Sequence, residues 1–153
     1  MTVPQILIDK VAEAQFVGLP DWEVATILNT ADAALPTRKV PVLTTDVRQV
    51  FLERQYWPGI VLTSENTAAD VSLRGLCITV RDSLNYTTII ETHKPASYDV
   101  VVTLLTALVS ANLIDATTKD DLLAMTNSHQ SWATYNAIYV DARLVGLARG
   151  AVA

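Results

Sequence analysis

The sequence predicts a mainly α-helical protein, and three observations lead to that prediction. Half of the 153 residues are hydrophobic and only 18% are charged, so the chain can bury enough apolar surface to offset the entropy of folding. Apolar residues recur at spacings of three and four along most of the chain, and proline and glycine separate these stretches. The length matches the common size of one domain, so we expect a single helical domain over residues 1–153.

The longest apolar run, from Ser97 to Ile114, predicts the helix around which the other helices pack. After Asp99 its side chains are either apolar or polar without charge. The run is too long for a typical strand and too short to cross a membrane. We therefore predict a helix from about Tyr98 to Ile114 that is buried on nearly all sides.

Two amphipathic helices are predicted near the N-terminus. The first begins near Thr2 and ends at Gly18, because glycine commonly terminates helices. The second begins at Asp21, a residue type that caps helix N-termini, and ends at Asn29 or Thr30.

Proline and β-branched residues mark two extended segments. Pro36 and Pro41 exclude a regular helix after the second helix, so we predict a short extended segment near Val40 to Leu43. The run from Thr87 to Glu91 is rich in β-branched residues and predicts a second one.

Further helices are predicted on both sides of the central one. Residues 59–66 remain open between a helix and a strand. Gly75 lies inside one of these helices, where glycine costs about 1 kcal/mol relative to alanine, so we expect a close helix–helix contact there. The expected bounds are Thr44 or Thr45 to Trp57 before Pro58 and Gly59, Asn66 or Thr67 to Tyr86, Thr117 to about Met125, and Val140 to Arg149 before Gly150.

The charge distribution argues against a nucleic-acid partner. The net charge is −5, and the lysines and arginines are scattered without a basic stripe or tail. A nucleic-acid-binding surface needs such a cluster to neutralise phosphates. The chain also lacks a signal-peptide pattern and an apolar segment long enough to span a bilayer, so neither nucleic acid nor a membrane is expected as a partner.

The residues that usually carry catalysis are scarce. No phosphate-binding glycine loop, GxSxG or HExxH motif is present. Cys77 is the one cysteine, and its apolar neighbours indicate a core position. His93 and His129 fall in connecting segments, where a surface position is expected. We predict that the protein is not an enzyme, with no catalytic residue, no cofactor and no metal site.

Aromatic residues are the best candidates for a partner interface. Trp22, Trp57 and Trp132 each stand near a helix end, where an indole typically packs against the core. Tyr135 and Tyr139 are four residues apart and are expected to share one helical or near-helical face, toward the core or a partner. The mean hydropathy of +0.28 predicts apolar surface that a partner or a second copy covers. We assign the candidate interface to Trp57, Trp132, Tyr135 and Tyr139.

Three stretches together resemble small helical proteins encoded among the virion structural genes of tailed bacteriophages. They run from Thr37 to Trp57, from Leu104 to Met125, and through VDARLVGLARG beginning at Val140. The resemblance lies in their order and spacing. It implies a role in the virus particle or its assembly, in multiple copies or docked on a partner. It carries over no active-site residue.

These observations favour a non-enzymatic structural or interaction protein of a phage virion. A head–tail connector, a minor capsid protein or a tail-associated subunit fits this description. Its partners would be other virion proteins, copies of itself, or both, and it would be found in the virion after assembly in the bacterial cytoplasm. The alternative is a helix-turn-helix regulator of transcription or assembly, which the acidity and the scattered basic residues oppose. An enzyme with an unrecognised site is the third hypothesis.

Overall fold

Helices make up most of the molecule, so the predicted mainly α fold class is confirmed. The computed structural model describes residues 2–152. No helix in that range is both long enough and apolar enough to cross a membrane. The helices are α1 (Gln5–Val11), α2 (Asp21–Asn29), α3 (Thr44–Glu53), α4 (Trp57–Glu65), α5 (Val71–Tyr86), α6 (Pro95–Ser110), α7 (Ala116–Ala124), α8 (Trp132–Tyr135) and α9 (Ala142–Val152).

The chain folds into two compact units, each with its own hydrophobic core. Unit 1 combines the two ends of the chain, Met1–Thr37 and His129–Ala153, and unit 2 is Arg38–Ser128. In unit 1, α9 packs against α1 and α2, and α8 packs against α2. In unit 2, α5 packs against α3, α4 and α6, and α7 packs against α6. That residues 1–153 form a single domain stays a prediction.

The predicted central helix is present as α6 in unit 2, but only one face of it is buried. Leu105 and Leu108 are buried in the core of unit 2, whereas Thr103, Thr106 and Ser110 are exposed. These three hydroxyls donate to the backbone carbonyls four residues earlier, at 2.9, 2.7 and 3.0 Å. The expectation of burial on nearly all sides is thus corrected, because uncharged polar side chains form a solvent-facing side.

The two predicted extended segments are confirmed, and they pair with each other. β2 and β3 are antiparallel, with Val42 opposite Ile90. A second antiparallel pair, which was not predicted, joins β1 to β4 at the start and end of unit 2. The strands are β1 (Arg38–Lys39), β2 (Val42–Leu43), β3 (Ile89–Ile90) and β4 (Asn127–Ser128).

Helix α3 ends earlier than predicted, and it ends without a glycine. Gln55 adopts the left-handed conformation with φ of 63°. The Tyr56 N–H then donates to the carbonyl of Phe51 at 2.8 Å, and the Gln55 N–H donates to that of Leu52 at 3.1 Å. These two bonds define a Schellman motif, which satisfies carbonyls that the helix leaves unpaired. The same pattern closes α6, where Asn112 has φ of 57°.

Three residues expected to end helices, namely Pro58, Gly59 and Gly150, lie inside them. Pro58 lies in the first turn of α4, where the missing N–H costs no helical hydrogen bond. Residues 59–66, which the sequence left open between helix and strand, are consequently helical through Glu65. Gly150 likewise lies within α9 instead of stopping it.

The close approach expected at Gly75 is found at a different glycine. Gly75 is exposed, and a Cβ there would meet nothing within 4 Å. In α9, a Cβ on Gly146 would lie 2.8 Å from the Asp21 Oδ2 atom of α2. The expectation for Gly75 is therefore wrong, and Gly146 is the glycine that allows two helices to approach.

Candidate interaction surfaces

A short segment of unit 1 presents two tyrosines to solvent. Tyr135 ends α8 and is 51% exposed, and Tyr139 lies in the loop before α9 and is 81% exposed. Ala133 and Val140 are buried in the core of unit 1. Asn29 Nδ2 donates a hydrogen bond of 2.8 Å to the carbonyl of Val140. We call residues 131–140 the tyrosine segment, and both of its ends are held by the core.

The backbone of the tyrosine segment is fixed by hydrogen bonds at each end of α8. The Ser131 hydroxyl accepts the Thr134 N–H at 3.0 Å and caps the helix. Ala137 is left-handed, with φ of 54°. The N–H groups of Ile138 and Ala137 donate to the carbonyls of Ala133 and Thr134 at 2.9 and 3.1 Å. This third Schellman motif closes α8 and leads the chain into the loop that carries Tyr139.

The four residues of the predicted interface fall into different units. Trp132, Tyr135 and Tyr139 lie together in the tyrosine segment, whereas Trp57 begins α4 in unit 2. Trp57 and Trp132 are half-buried and pack against the cores of their units. The two tyrosines do not share a helical face, so that expectation is wrong. The helix ends at Tyr135, because the chain turns into the left-handed conformation two residues later.

Trp22 is a surface residue that the sequence reasoning placed in the core. Its side chain is 63% exposed, although Val24, Ala25 and Leu28 of the same helix are buried. The sequence around Trp22 does not indicate whether the indole is buried or exposed. It adds a large exposed aromatic group to unit 1.

An arginine of α9 ties the C-terminal helix to the loop that precedes α2. The Arg149 guanidinium donates to the carbonyls of Phe16 and Leu19 at 2.8 and 2.7 Å. It also forms an ion pair of 2.5 Å with the Asp21 carboxylate. Three acceptors occupy three of the five N–H donors of one half-buried guanidinium, which indicates a structural role.

A second polar network joins α3 to α7 in unit 2. Arg54 forms an ion pair of 2.5 Å with Asp121 and donates to the Thr118 hydroxyl at 2.8 Å. The hydrogen bond to Asp121 raises the pKa of Arg54. Asp115, instead of the expected Thr117, caps α7 by accepting the Thr118 N–H at 2.7 Å. Hydrogen bonds from Thr118 lower the pKa of Asp115, and these charges therefore stabilise helix packing.

Unit 2 contains an apolar cavity of about 360 Å³. It lies between β2, β3 and helices α3, α5, α6 and α7, all of which contribute lining residues. Phe51 and Leu108 are almost completely buried in its floor, whereas Ile89 and Val100 are exposed at its edge. We call this space the unit 2 cavity, and its exposed lining residues on β3 and α6 indicate an opening there.

The residues most often used in catalysis and metal binding are dispersed. Between residues 2 and 152, no three or more histidine, cysteine or acidic residues form a group that could hold a metal ion. Cys77 is buried, and its burial raises the pKa of the thiol. His93 and His129 are exposed in separate units. In the described part of the chain, these side chains form no recognisable reaction centre.

Comparison of the chain with protein-family models, with curated protein sequences and with solved structures finds no match.

Proposed function

We propose that the protein is a non-enzymatic structural or interaction component of a tailed-phage virion. In this role it is a head–tail connector, a minor capsid protein or a tail-associated subunit, and it acts through protein–protein contacts. Its partners are other virion proteins, copies of itself, or both. The resemblance of three sequence stretches to phage virion-region proteins supplies the biological setting for the proposal.

The observation that carries the proposal is the exposure of aromatic residues on a fixed backbone. Tyr135 and Tyr139 are 51% and 81% exposed, and the segment that holds them is anchored by Ala133 and Val140 in the core. Tyrosine contributes a large contact area with few rotatable bonds, and it is enriched among the residues that dominate binding energy at interfaces. A backbone that is already anchored loses little further entropy when a partner binds.

Mass spectrometry of purified particles tests the biological setting. We expect the protein in particles produced by the genome that encodes it, at a fixed ratio to the major capsid protein after stringent washing. Its absence from washed particles would overturn the proposed virion role.

A matched pair of tyrosine variants tests the assigned surface. Tyr139 and Tyr86 have nearly equal exposure, 81% and 84%, but Tyr86 lies at the end of α5 in unit 2. Tyr139→Asp should weaken association by about tenfold or more, which corresponds to about 1.4 kcal/mol, because a charge would replace an aromatic anchor. Tyr86→Asp should leave association unchanged. Light scattering during size-exclusion chromatography measures self-association, and retention on washed particles measures binding to virion proteins.

The two variants also test the assigned surface independently of the proposed virion role. Equal weakening by Tyr139→Asp and Tyr86→Asp, or no weakening by either, would remove the tyrosine segment as the interface. Circular dichroism of each variant checks that its helices remain folded, since both substitutions are at exposed positions.

A further inference from the structure

We propose that the unit 2 cavity is a binding site for a small, uncharged, largely apolar molecule. This proposal does not rest on the proposed virion role, because it concerns a cavity in unit 2 whereas the proposed interface lies in unit 1.

The size of the cavity is that of a ligand site. Protein interiors are close-packed, and voids larger than a water molecule are few. The unit 2 cavity measures about 360 Å³, and small-molecule sites range from about 300 to 1,000 Å³. An apolar cavity of about 150 Å³ in another protein stays dry and binds benzene. A larger apolar space therefore offers enough contact area for a molecule of at least that size.

The shape of the cavity gives such a molecule a route of entry. The floor is formed by core side chains, among them Phe51 and Leu108, which are 1% and 0% exposed. The edge includes Ile89 on β3 and Val100 on α6, which are 46% and 57% exposed. A ligand can enter between these two residues without displacing the core, and it gains dispersion contacts with the floor.

The charges around the cavity exclude an ionic ligand. Among the charged residues of the described chain, only Glu91 lines the cavity, and it forms an ion pair of 2.6 Å with Lys94. The hydroxyls of Thr92 and Thr126 line the cavity and donate to backbone carbonyls. A charged ligand would lose its hydration without gaining an unpaired counter-charge, so the ligand is neutral.

Two half-buried hydroxyls of the lining indicate where a neutral polar group of the ligand would bind. Ser83 and Ser97 line the cavity and are half-buried. Within residues 2–152 neither side-chain hydroxyl is hydrogen-bonded. Each can donate to and accept from a ligand hydroxyl, ketone or amide. The chemical class is therefore an apolar body with at most one or two neutral polar groups.

Binding of N-phenyl-1-naphthylamine, a neutral apolar dye that fluoresces more strongly in apolar surroundings, tests the proposal on the full-length chain. We expect saturable binding of one dye molecule per chain. Val100→Glu should weaken binding by about tenfold or more, because a carboxylate at the opening disfavours an apolar ligand. Val71→Glu is the matched control, since Val71 is 86% exposed on α5 and does not line the cavity.

Methyl NMR with toluene as the probe locates the site independently of the dye. We expect chemical-shift changes at Leu104 and Leu108, which line the cavity. We expect none at Val24 and Val145, which are buried in the core of unit 1. Absence of saturable binding, equal weakening by Val100→Glu and Val71→Glu, or shifts in unit 1 instead of unit 2 would each overturn the proposal. If only a protein segment can fill the cavity, saturable binding of the dye would be absent.

Discussion

Removal of the Arg149 side chain tests whether one guanidinium holds the C-terminal helix in unit 1. Its donors bind the carbonyls of Phe16 and Leu19, and it pairs with the Asp21 carboxylate. Arg149→Ala leaves all three acceptors without this donor. We therefore expect α9 to lose its link to the loop before α2, and the free energy of unfolding of unit 1 to fall.

The magnitude follows from the individual contacts. Each hydrogen bond to a carbonyl contributes about 1 kcal/mol net. The side chains of Arg149 and Asp21 are 29% and 39% exposed, so solvent screening limits their ion pair to about 0.5 kcal/mol. The expected loss is about 2 to 3 kcal/mol. For a unit of about 60 residues, such as unit 1, this loss lowers the melting temperature by about 10 °C or more.

Tryptophan fluorescence can follow unit 1 separately from unit 2. In a Trp57→Phe background the remaining tryptophans, Trp22 and Trp132, both lie in unit 1, so urea unfolding followed by emission reports on that unit. Arg143→Ala is the matched control, because Arg143 is an exposed arginine of the same helix. We expect Arg143→Ala to change stability by less than about 0.5 kcal/mol. If Arg149→Ala had an equally small effect, the inferred structural role of Arg149 would be refuted.

Five further substitutions, grouped as three predictions, have outcomes that follow from the structure. Gly75→Ala should raise the stability of unit 2 by up to about 1 kcal/mol, because alanine has the higher helix propensity. Gly146→Ala should bring no gain, because its Cβ would lie 2.8 Å from a carboxylate oxygen of α2. Thermal melts measure both variants, and equal stabilisation of the two would contradict this prediction. Gln55→Gly should raise stability by about 1 kcal/mol, and Asn112→Gly should raise it by less, because asparagine tolerates the left-handed conformation better than glutamine. Urea unfolding measures both variants. A loss of stability in Gln55→Gly would disagree with the left-handed φ of residue 55. Because the pKa of Asp115 is lowered, its charge stabilises the fold above its ordinary pKa of about 3.9, and this contribution is lost as pH falls through the lower folded value. Asp115→Asn keeps a capping oxygen but cannot titrate, so the stability of this variant should vary less between about pH 2 and 5. A pH profile of stability identical to that of the unmodified protein would count against the capping role of Asp115.

Much of the local structure could be predicted because its determinants lie close together in the chain. Helix α2 runs from Asp21 to Asn29, as its pattern of apolar residues indicated, although Pro20 and not the expected Asp21 occupies the N-cap position. The extended segments near Val40 to Leu43 and Thr87 to Glu91 contain β2 and β3, since proline and β-branched residues disfavour a helix there.

Helix ends were less predictable, because tertiary packing decides them. Gln55, Asn112 and Ala137 are left-handed without being glycine, and of these residue types only asparagine commonly ends helices. The residue after each of them, namely Tyr56, Leu113 or Ile138, packs against a hydrophobic core. This burial offsets the cost of about 1 to 2 kcal/mol for a side chain in the left-handed region.

The candidate functional residues also differ in how well the sequence predicted their positions. The sequence singled out Tyr135 and Tyr139, and the structure places both at the surface. It also placed Trp22 in the core, where the structure leaves it 63% exposed. The unit 2 cavity had no sequence signal, because its lining comes from six elements of unit 2 that are separated along the chain.

The amino-acid sequence by itself determined the helical class, the order of most elements and the places where the chain is extended. These properties depend on periodicity, proline and capping residues within a few positions of one another. Only the tertiary structure decided that the two ends of the chain share one core, as the hydrogen bond between Asn29 and Val140 illustrates. It also decided which face of α6 is buried and where a cavity remains. The reason is physical: an apolar side chain is attracted to any apolar surface, so its partner is selected by the packing of whole elements and not by its neighbours in the chain.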